Sequence, residues 1–482
     1  MRRNFKNAVL IIFMLIGIGL RAEVLKLDLE RARSIALENN PSVKMAREGV
    51  RKAQTQVTEA RAGFMPQLNA FSSLQHAWDL QENKIPNFLK PSLAPTYQQV
   101  GNALKSVGQK IDDQELINQG QGMINSVDMM PDYLQMAFGL ENVLTYGVQV
   151  QQPLYTGGSI WNGYKISKIG VDVAESQLQN SRQQVLKQVT SSYYSTLFAK
   201  SAVKVSKESV ESARENLEQV KKFYNQGKAS KLDLLRAKVQ LANFKPNLVS
   251  AKNRLELSIS QLIHALGLDK DTEFIFTDSL RYRHSQYLDK SLEELTQLAL
   301  RNRPEINMVE NQKEIAQKQL SMARGARLPS LNLSTSYQYQ GMRNDLEFTG
   351  DDFNKSFNTS VSLSIPLFNG FKKNSRVEQA KVKIDEINHQ KHSTTDGIRL
   401  EVKSSYFSMK EAEEKVNTQK VTIEQAEEAL RLAKLMYSEG GSTQLDVLNA
   451  NLSLKQAKMN YHQSLLEYNL ALADLKKAIN EL

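Results

Sequence analysis

The chain is 482 residues long, with 62 Lys and Arg against 52 Asp and Glu, a formal charge of +10, and no cysteine. Without cysteine there is no disulfide, redox pair, Cys-based zinc site or lipidated N-terminus, so an exported form must hold together by packing alone. Four of the cations (Arg2, Arg3, Lys6, Arg21) lie in residues 1–22, and the remaining +6, spread over roughly 460 residues, is no nucleic-acid footprint.

Residues 1–22 read as a secretory signal peptide. Arg2, Arg3 and Lys6 precede an apolar run from Ala8 to Leu20, and Ala22 offers a small residue for cleavage. A helical pattern follows over 30–62, then a strand near 66–77 with Leu68, Ala70 and Leu74 on one face. Residues 79–143 hold Pro86, Pro91, Pro95, Gly101, Gly108, Gly120 and Gly122, and read as a long, partly ordered extracellular insertion with a short helix near 97–111. A second strand near 144–154 alternates Leu144, Tyr146, Val148 and Val150 with Thr145, Gly147, Gln149 and Gln151.

From Ser159 to Gln226 there is no proline, and Val203, Val210, Leu217 and Tyr224 fall seven apart, the seam of a coiled coil. About 68 residues at 1.5 Å each give a rod of roughly 100 Å. A Gly/Asp segment near 224–237 then turns the chain. Leu234, Leu241, Leu248, Leu255 and Leu262 carry a seam back, with a kink expected at Pro246. A segment between the hairpins, 268–290, closes a first structural repeat, 23–290.

The second repeat, 291–482, runs through the same order. A capping-box pattern at Ser291 and Glu294 opens a helix over 293–325. Strands near 329–339 and 357–367 alternate apolar residues with Ser, Asn and Gln, and a second long helix carries Val416, Ile423, Leu430 and Tyr437 to a turn near 437–450. Tyr224, Gly227, Asp233, Leu235 and Ala237 return 213 residues later as Tyr437, Gly440, Asp446, Leu448 and Ala450. The fold class is therefore mainly α with transmembrane β, internally duplicated, with long coiled-coil helical hairpins. Four strands cannot close a barrel, and hydrocarbon does not tolerate an open edge. The chain must oligomerise, as a dimer with eight strands or a trimer with twelve and an open lumen.

No nucleophile–base–acid set is present, so no catalytic residue, cofactor or metal is expected. Gly227-Lys228-Ala229-Ser230 lacks the preceding glycine of a phosphate loop, and His389 with His392 lacks a third ligand. Function should concentrate at the turns. Gly227 and Gly440 permit a backbone that ends a helix, and Asp233 and Asp446 serve as N-caps or first-turn acids of the returning helices. Tyr224, Leu235, Tyr437 and Leu448 complete the two tips.

Several doubled motifs occur in one order. They are Leu27-x-Leu29…Ala36-Leu37-x-x-Asn40-Pro41 with Leu292…Ala299-Leu300-x-x-Arg303-Pro304-Glu305, Pro66-Gln67-Leu68 with Pro329-Ser330-Leu331, Pro153-Leu154-Tyr155 with Pro366-Leu367-Phe368, and the two tip turns. Over residues 23–480 this order resembles the TolC-type outer-membrane efflux family. The resemblance implies a homotrimer in outer-membrane lipid, with four strands per chain in a shared 12-stranded β-barrel and an α-barrel tunnel across the periplasm. It places 23–29 and 268–290 in an equatorial collar. It implies a passive exit duct of a tripartite efflux pump or type I secretion system, docked by its tips to a periplasmic adaptor (membrane fusion protein) and an inner-membrane pump. Acids of the second tip would then ring a lumen constriction. Asp446 fits, but Asn449 and Ser442 stand where the best-known relatives carry an acid and an arginine. The alternative is a periplasmic coiled-coil adaptor or scaffold without a pore, which four alternating strands disfavour.

Overall fold

The computed structural model describes residues 25–137, 139–270 and 272–482; the expected signal peptide, 1–22, lies outside them. The first repeat supplies β1 (Leu25–Leu27), α1 (Leu29–Asn39), α2 (Pro41–Ala62), β2 (Gln67–His76), β3 (Glu82–Pro86), α3 (Lys90–Ile111), α4 (Gln114–Asp128), β4 (Tyr133–Ala137), β5 (Asn142–Tyr155), α5 (Ser159–Asn225), α6 (Lys231–Leu266) and β6 (Phe274–Phe276). The second supplies α7 (Leu292–Asn302), α8 (Pro304–Gly325), β7 (Ser330–Arg343), β8 (Phe353–Ser364), α9 (Lys372–Ser438) and α10 (Gln444–Ala478). These form two compact units. One takes the described residues up to Arg61, Gly158–Ala326 and Phe368–Leu482; the other takes Ala62–Gly157 and Arg327–Leu367.

In the helical unit, α5 and α9 are each 67 residues long, and the returns α6 and α10 are 36 and 35. The buried line on α6 is Ala237, Phe244, Ala251 and Ser258, seven apart, with Phe244 against Val210 and Ala213 of α5. Leu241 and Leu248 of the expected seam flank this contact, partly buried. A heptad has two inward positions, and small residues at one of them bring the helices together while leucines cover the side.

Segments 30–62 and 293–325, expected as single helices, are each broken in two. Asn40 (φ −62, ψ 128) and Arg303 (φ −73, ψ 125) are extended because each precedes a proline. Their side chains fill the breaks. The Asn40 amide donates to the Ala265 carbonyl at 2.9 Å, and the buried Arg303 guanidinium binds Glu305 at 2.7 Å and Glu401. Pro246 does not end α6, which continues through it.

The main core lies where the ends of both repeats meet. It includes Leu27, Ile35, Tyr193, Leu262, Leu295, Tyr406, Met409 and Leu475. Strand β1 pairs in parallel with β6, joining 25–27 to the segment between the repeats. That segment is bonded to both long hairpins. The Tyr193 hydroxyl donates to Asp278 at 3.0 Å, Tyr468 to the Arg283 carbonyl at 2.8 Å, and Tyr282 to Glu413 at 2.6 Å.

The second unit is an antiparallel sheet in the order β2-β5-β7-β8. Ala70, Val148, Tyr337 and Phe357 share one row, and Asn69, Gln149, Ser336 and Asn358 another. Side chains alternate across a strand, so these neighbouring rows place an apolar face and an amide/hydroxyl face on opposite sides. β2 and β8 are the sheet's two edges within one chain. β8 stops at Ser364, short of the expected 367, in keeping with Pro366, which has no N–H for the ladder.

The insertion is more ordered than its glycines and prolines suggested. β3 and β4 pair antiparallel, and α3 and α4, which lie between them in the chain, pack against each other. Gly101 and Gly120 are contact residues here: a β-carbon on Gly120 would lie 2.5 Å from the Gly101 carbonyl oxygen.

Candidate functional site at the hairpin tips

Both long helices end in the same way. At the first tip Gly227 has φ +78, Lys228 N–H donates to the Phe223 carbonyl at 2.8 Å, and Gly227 N–H to that of Tyr224 at 3.0 Å. At the second, Gly440 has φ +78, Gly441 N–H donates to Met436 at 2.8 Å, and Gly440 N–H to Tyr437 at 3.2 Å. This is the Schellman arrangement, which consumes the last carbonyls of the helix. A β-carbon on either glycine would meet nothing within 4 Å, so the backbone and not the space demands glycine.

Each returning helix opens with a reciprocal cap. The Ser230 hydroxyl oxygen accepts from Asp233 N–H at 3.1 Å, while Asp233 Oδ2 accepts from Ser230 N–H at 3.1 Å and its hydroxyl at 2.6 Å. Thr443 and Asp446 repeat this at 3.3, 2.8 and 2.7 Å. Both aspartates are thus first-turn acids of capping boxes. Bonds from the Thr443 hydroxyl and then its backbone N–H hold the Asp446 carboxyl below the usual aspartate value.

The tips are neighbours. The Phe223 ring lies 5.7 Å from that of Tyr437. Burial, and then the negative charge of Asp233, push the Tyr437 hydroxyl upward in pKa. Further along, the Asn451 amide donates to Ser212 at 3.1 Å, and Lys458 bridges Glu208 at 3.3 Å and Glu427 at 3.5 Å. These cross-hairpin contacts are polar positions on uniform helices, with no spacing signal in the sequence to mark them.

The sequence model of outer membrane efflux proteins matches residues 141–268 and 295–481, both hairpins included and well over half of the chain. The chain belongs to the outer membrane efflux protein family. It is 22% identical over 350 residues to outer membrane protein TolC of Escherichia coli (strain K12), covering 71% of this chain and 70% of that protein. It is 19% identical over 334 residues to the alkaline protease secretion protein AprF of Pseudomonas aeruginosa, covering 68% of each. The outer-membrane channel OprN superposes with a TM-score of 0.70 over 94% of this chain and 90% of that one, at 16% identity. As a family member the chain is an outer-membrane exit duct for efflux or type I secretion. Three chains supply the strands of its barrel, and its helices extend into the periplasm.

Within this efflux protein the expected tip residues divide by environment. Tyr224 is 39% and Leu235 48% exposed, whereas Leu448 is 9% exposed and Tyr437 half-buried. Asp446 and Asn449 are both exposed. Among the described residues, the Tyr437 hydroxyl, both amide atoms of Gln444 and of Gln240, and Asn216 Nδ2 are buried without a hydrogen-bond partner. Gln444, 1% exposed, was not singled out by sequence; a glutamine in a first helical turn ordinarily faces water.

Proposed function

We propose that this duct engages its periplasmic adaptor through the first tip and regulates its opening at the second. The observation carrying this reading is the unequal burial of equivalent positions. Leu235, 48% exposed against 9% for its counterpart Leu448, offers apolar area on a helix end fixed by a capping box, the rigid presentation that a helical partner needs. The second tip holds buried polar groups without partners, each costing about 1–3 kcal/mol. A packing arrangement with that penalty is cheap to rearrange. Asp446 and Asn449 then line the constriction, with Asp446 as the charged member favouring cations. No catalytic step, cofactor or metal belongs to this function; energy is supplied by an inner-membrane pump. A photo-crosslinking residue at position 235 is expected to capture a periplasmic adaptor in cells, and one at 448 is not. Equal capture at both positions, or unchanged export in Leu235→Asp, removes the first tip from docking.

A further inference from the structure

Where the helices leave the barrel, their charges change character. α5 starts four residues after Tyr155, α9 eight residues after Ser364, and α8 ends five residues before Ser330. The three strand ends share one side of the sheet, since Tyr155 pairs with Leu331 and Ser330 with Ser364. Within the helical unit, residues 158–170, 322–326 and 368–377 carry Lys165, Lys168, Arg324, Lys372, Lys373 and Arg376, and no Asp or Glu. Among the described residues none of these six makes an ion pair. From Glu378 onward α9 behaves differently: Lys381 pairs with Glu378 at 2.9 Å, Lys383 with Glu386 at 2.9 Å, and Lys391 with Glu310 of α8 at 2.9 Å. The last contact and the packing of Ile387 on Val309 and Ala316 tie α8 to the same stretch of α9.

Aromatic side chains are interleaved with the cations. Lys165 Nζ lies 5.1 Å from the Trp161 ring centre and Lys168 Nζ 5.1 Å from that of Tyr164. Phe368 and Phe371, 76% and 65% exposed, stand 5.5 Å apart beside Lys372 and Lys373. Exposed rings mixed with cations suit a boundary of hydrocarbon and headgroup. A cluster of uncompensated cations at that depth attracts anionic lipid.

We propose that this belt binds the phosphate headgroups of anionic phospholipid in the periplasmic leaflet of the outer membrane. Lys165, Lys168, Lys372, Lys373 and Arg376 contact the phosphates, and Phe368 and Phe371 enter the acyl boundary. Charge complementarity and continuity with the membrane-embedded strands select this occupant over a soluble anion. The trimer repeats the belt around the duct, so the bound lipid forms an annulus that fixes the height of the barrel in the membrane.

The test uses the full-length trimer in non-ionic detergent, incubated with equal amounts of phosphatidylglycerol and phosphatidylcholine of the same acyl chains. After washing, the retained lipid is weighed by mass spectrometry. Phosphatidylglycerol is expected to be retained at least about a hundredfold over phosphatidylcholine. Each cation is worth about fivefold, so K372Q/K373Q/R376Q lowers retention by roughly a hundredfold without changing trimer yield, and K165Q/K168Q lowers it less. Salt at 0.5 M is expected to act like the triple variant. Equal retention of the two lipids, or unchanged retention by both variants, overturns the proposal. Lipid A displacing phosphatidylglycerol at equal concentration overturns its assignment to the periplasmic leaflet.

Discussion

Leu235 of the first tip is 48% exposed; at the same turn of the second tip, 213 residues later, Leu448 is 9% exposed. Tyr224 is 39% exposed, and Tyr437 less so. Yet the two tips share their backbone, with φ +78 at both glycines and the same reciprocal cap at both helix starts. The features that survived duplication unchanged are those set within a few residues of chain. Burial depends on what lies alongside, and α10 rests on α5 through Asn451 and Ser212 and through Asp474 and Lys187 at 2.7 Å. α6 leaves Leu232, Val239, Val249 and Leu257 exposed in one chain; at the equivalent positions of α10, Leu445 and Leu452 are exposed as well, while His462 and Leu470 are partly buried. A duplicated motif therefore keeps its local geometry while equivalent side chains differ in burial.

The largest expected effect separates the leucines. Leu448→Ala removes a buried side chain and should cost about 2–4 kcal/mol, whereas Leu235→Ala should stay within about 0.5 kcal/mol. Thermal or denaturant unfolding of the two variants measures the contrast directly; equal losses would erase it. Next come the glycines, where the tips should agree. Valine at φ +78 is strained by about 1–2 kcal/mol at either site, because only the backbone is at issue. Gly227→Val and Gly440→Val are expected to form trimers in the membrane and to abolish export, read as accumulation of a fluorescent cargo. The tyrosines divide again. Tyr437→Phe deletes a buried hydroxyl without a partner in its own chain and should stabilise by about 1 kcal/mol, while Tyr224→Phe should be neutral. A loss for Tyr437→Phe would mean that a neighbouring protomer supplies the partner.

Sequence made the hairpins and strands legible because their periods, 3.5 and 2, repeat over long runs with few interruptions. It made the tip glycines and aspartates legible because their roles are local. In the insertion the helix expected near 97–111 is present within α3, but α4 was not expected, and Gly120 read as a loop residue although it packs closely on Gly101 of α3. The same sequence cue, glycine, reports either a turn or a tight helix crossing, and only the partner decides. The breaks before Pro41 and Pro304 were readable from the residue preceding proline, but the continuous apolar pattern outweighed them. What separates Leu235 from Leu448 was not readable, since both sit in the same local pattern and differ only in distant neighbours.

The smallest expected effects concern pH, and here the tip and the segment joining the repeats should respond in opposite directions. Asp446 has its folded pKa lowered from 3.8 by the Thr443 hydroxyl and N–H, so its contribution is complete above 3.8 and is lost as pH falls through the lower folded value. Thr443→Ala should shrink that acid-sensitive part. His284, in the segment joining the repeats, has its pKa raised from 6.5, first by its hydrogen bond to Asp289 at 3.1 Å and further by Glu413. Its contribution is complete below 6.5 and is lost as pH rises through the folded value. The difference in unfolding temperature between wild type and His284→Gln should therefore be greatest at about pH 6 and vanish at alkaline pH. If the variant tracks wild type at every pH, the segment joining the repeats is held by the Tyr282 hydroxyl, which donates to Glu413 at 2.6 Å. Burial and that bond push Tyr282 up to about 12, so it stays protonated across the range in which the histidine titrates.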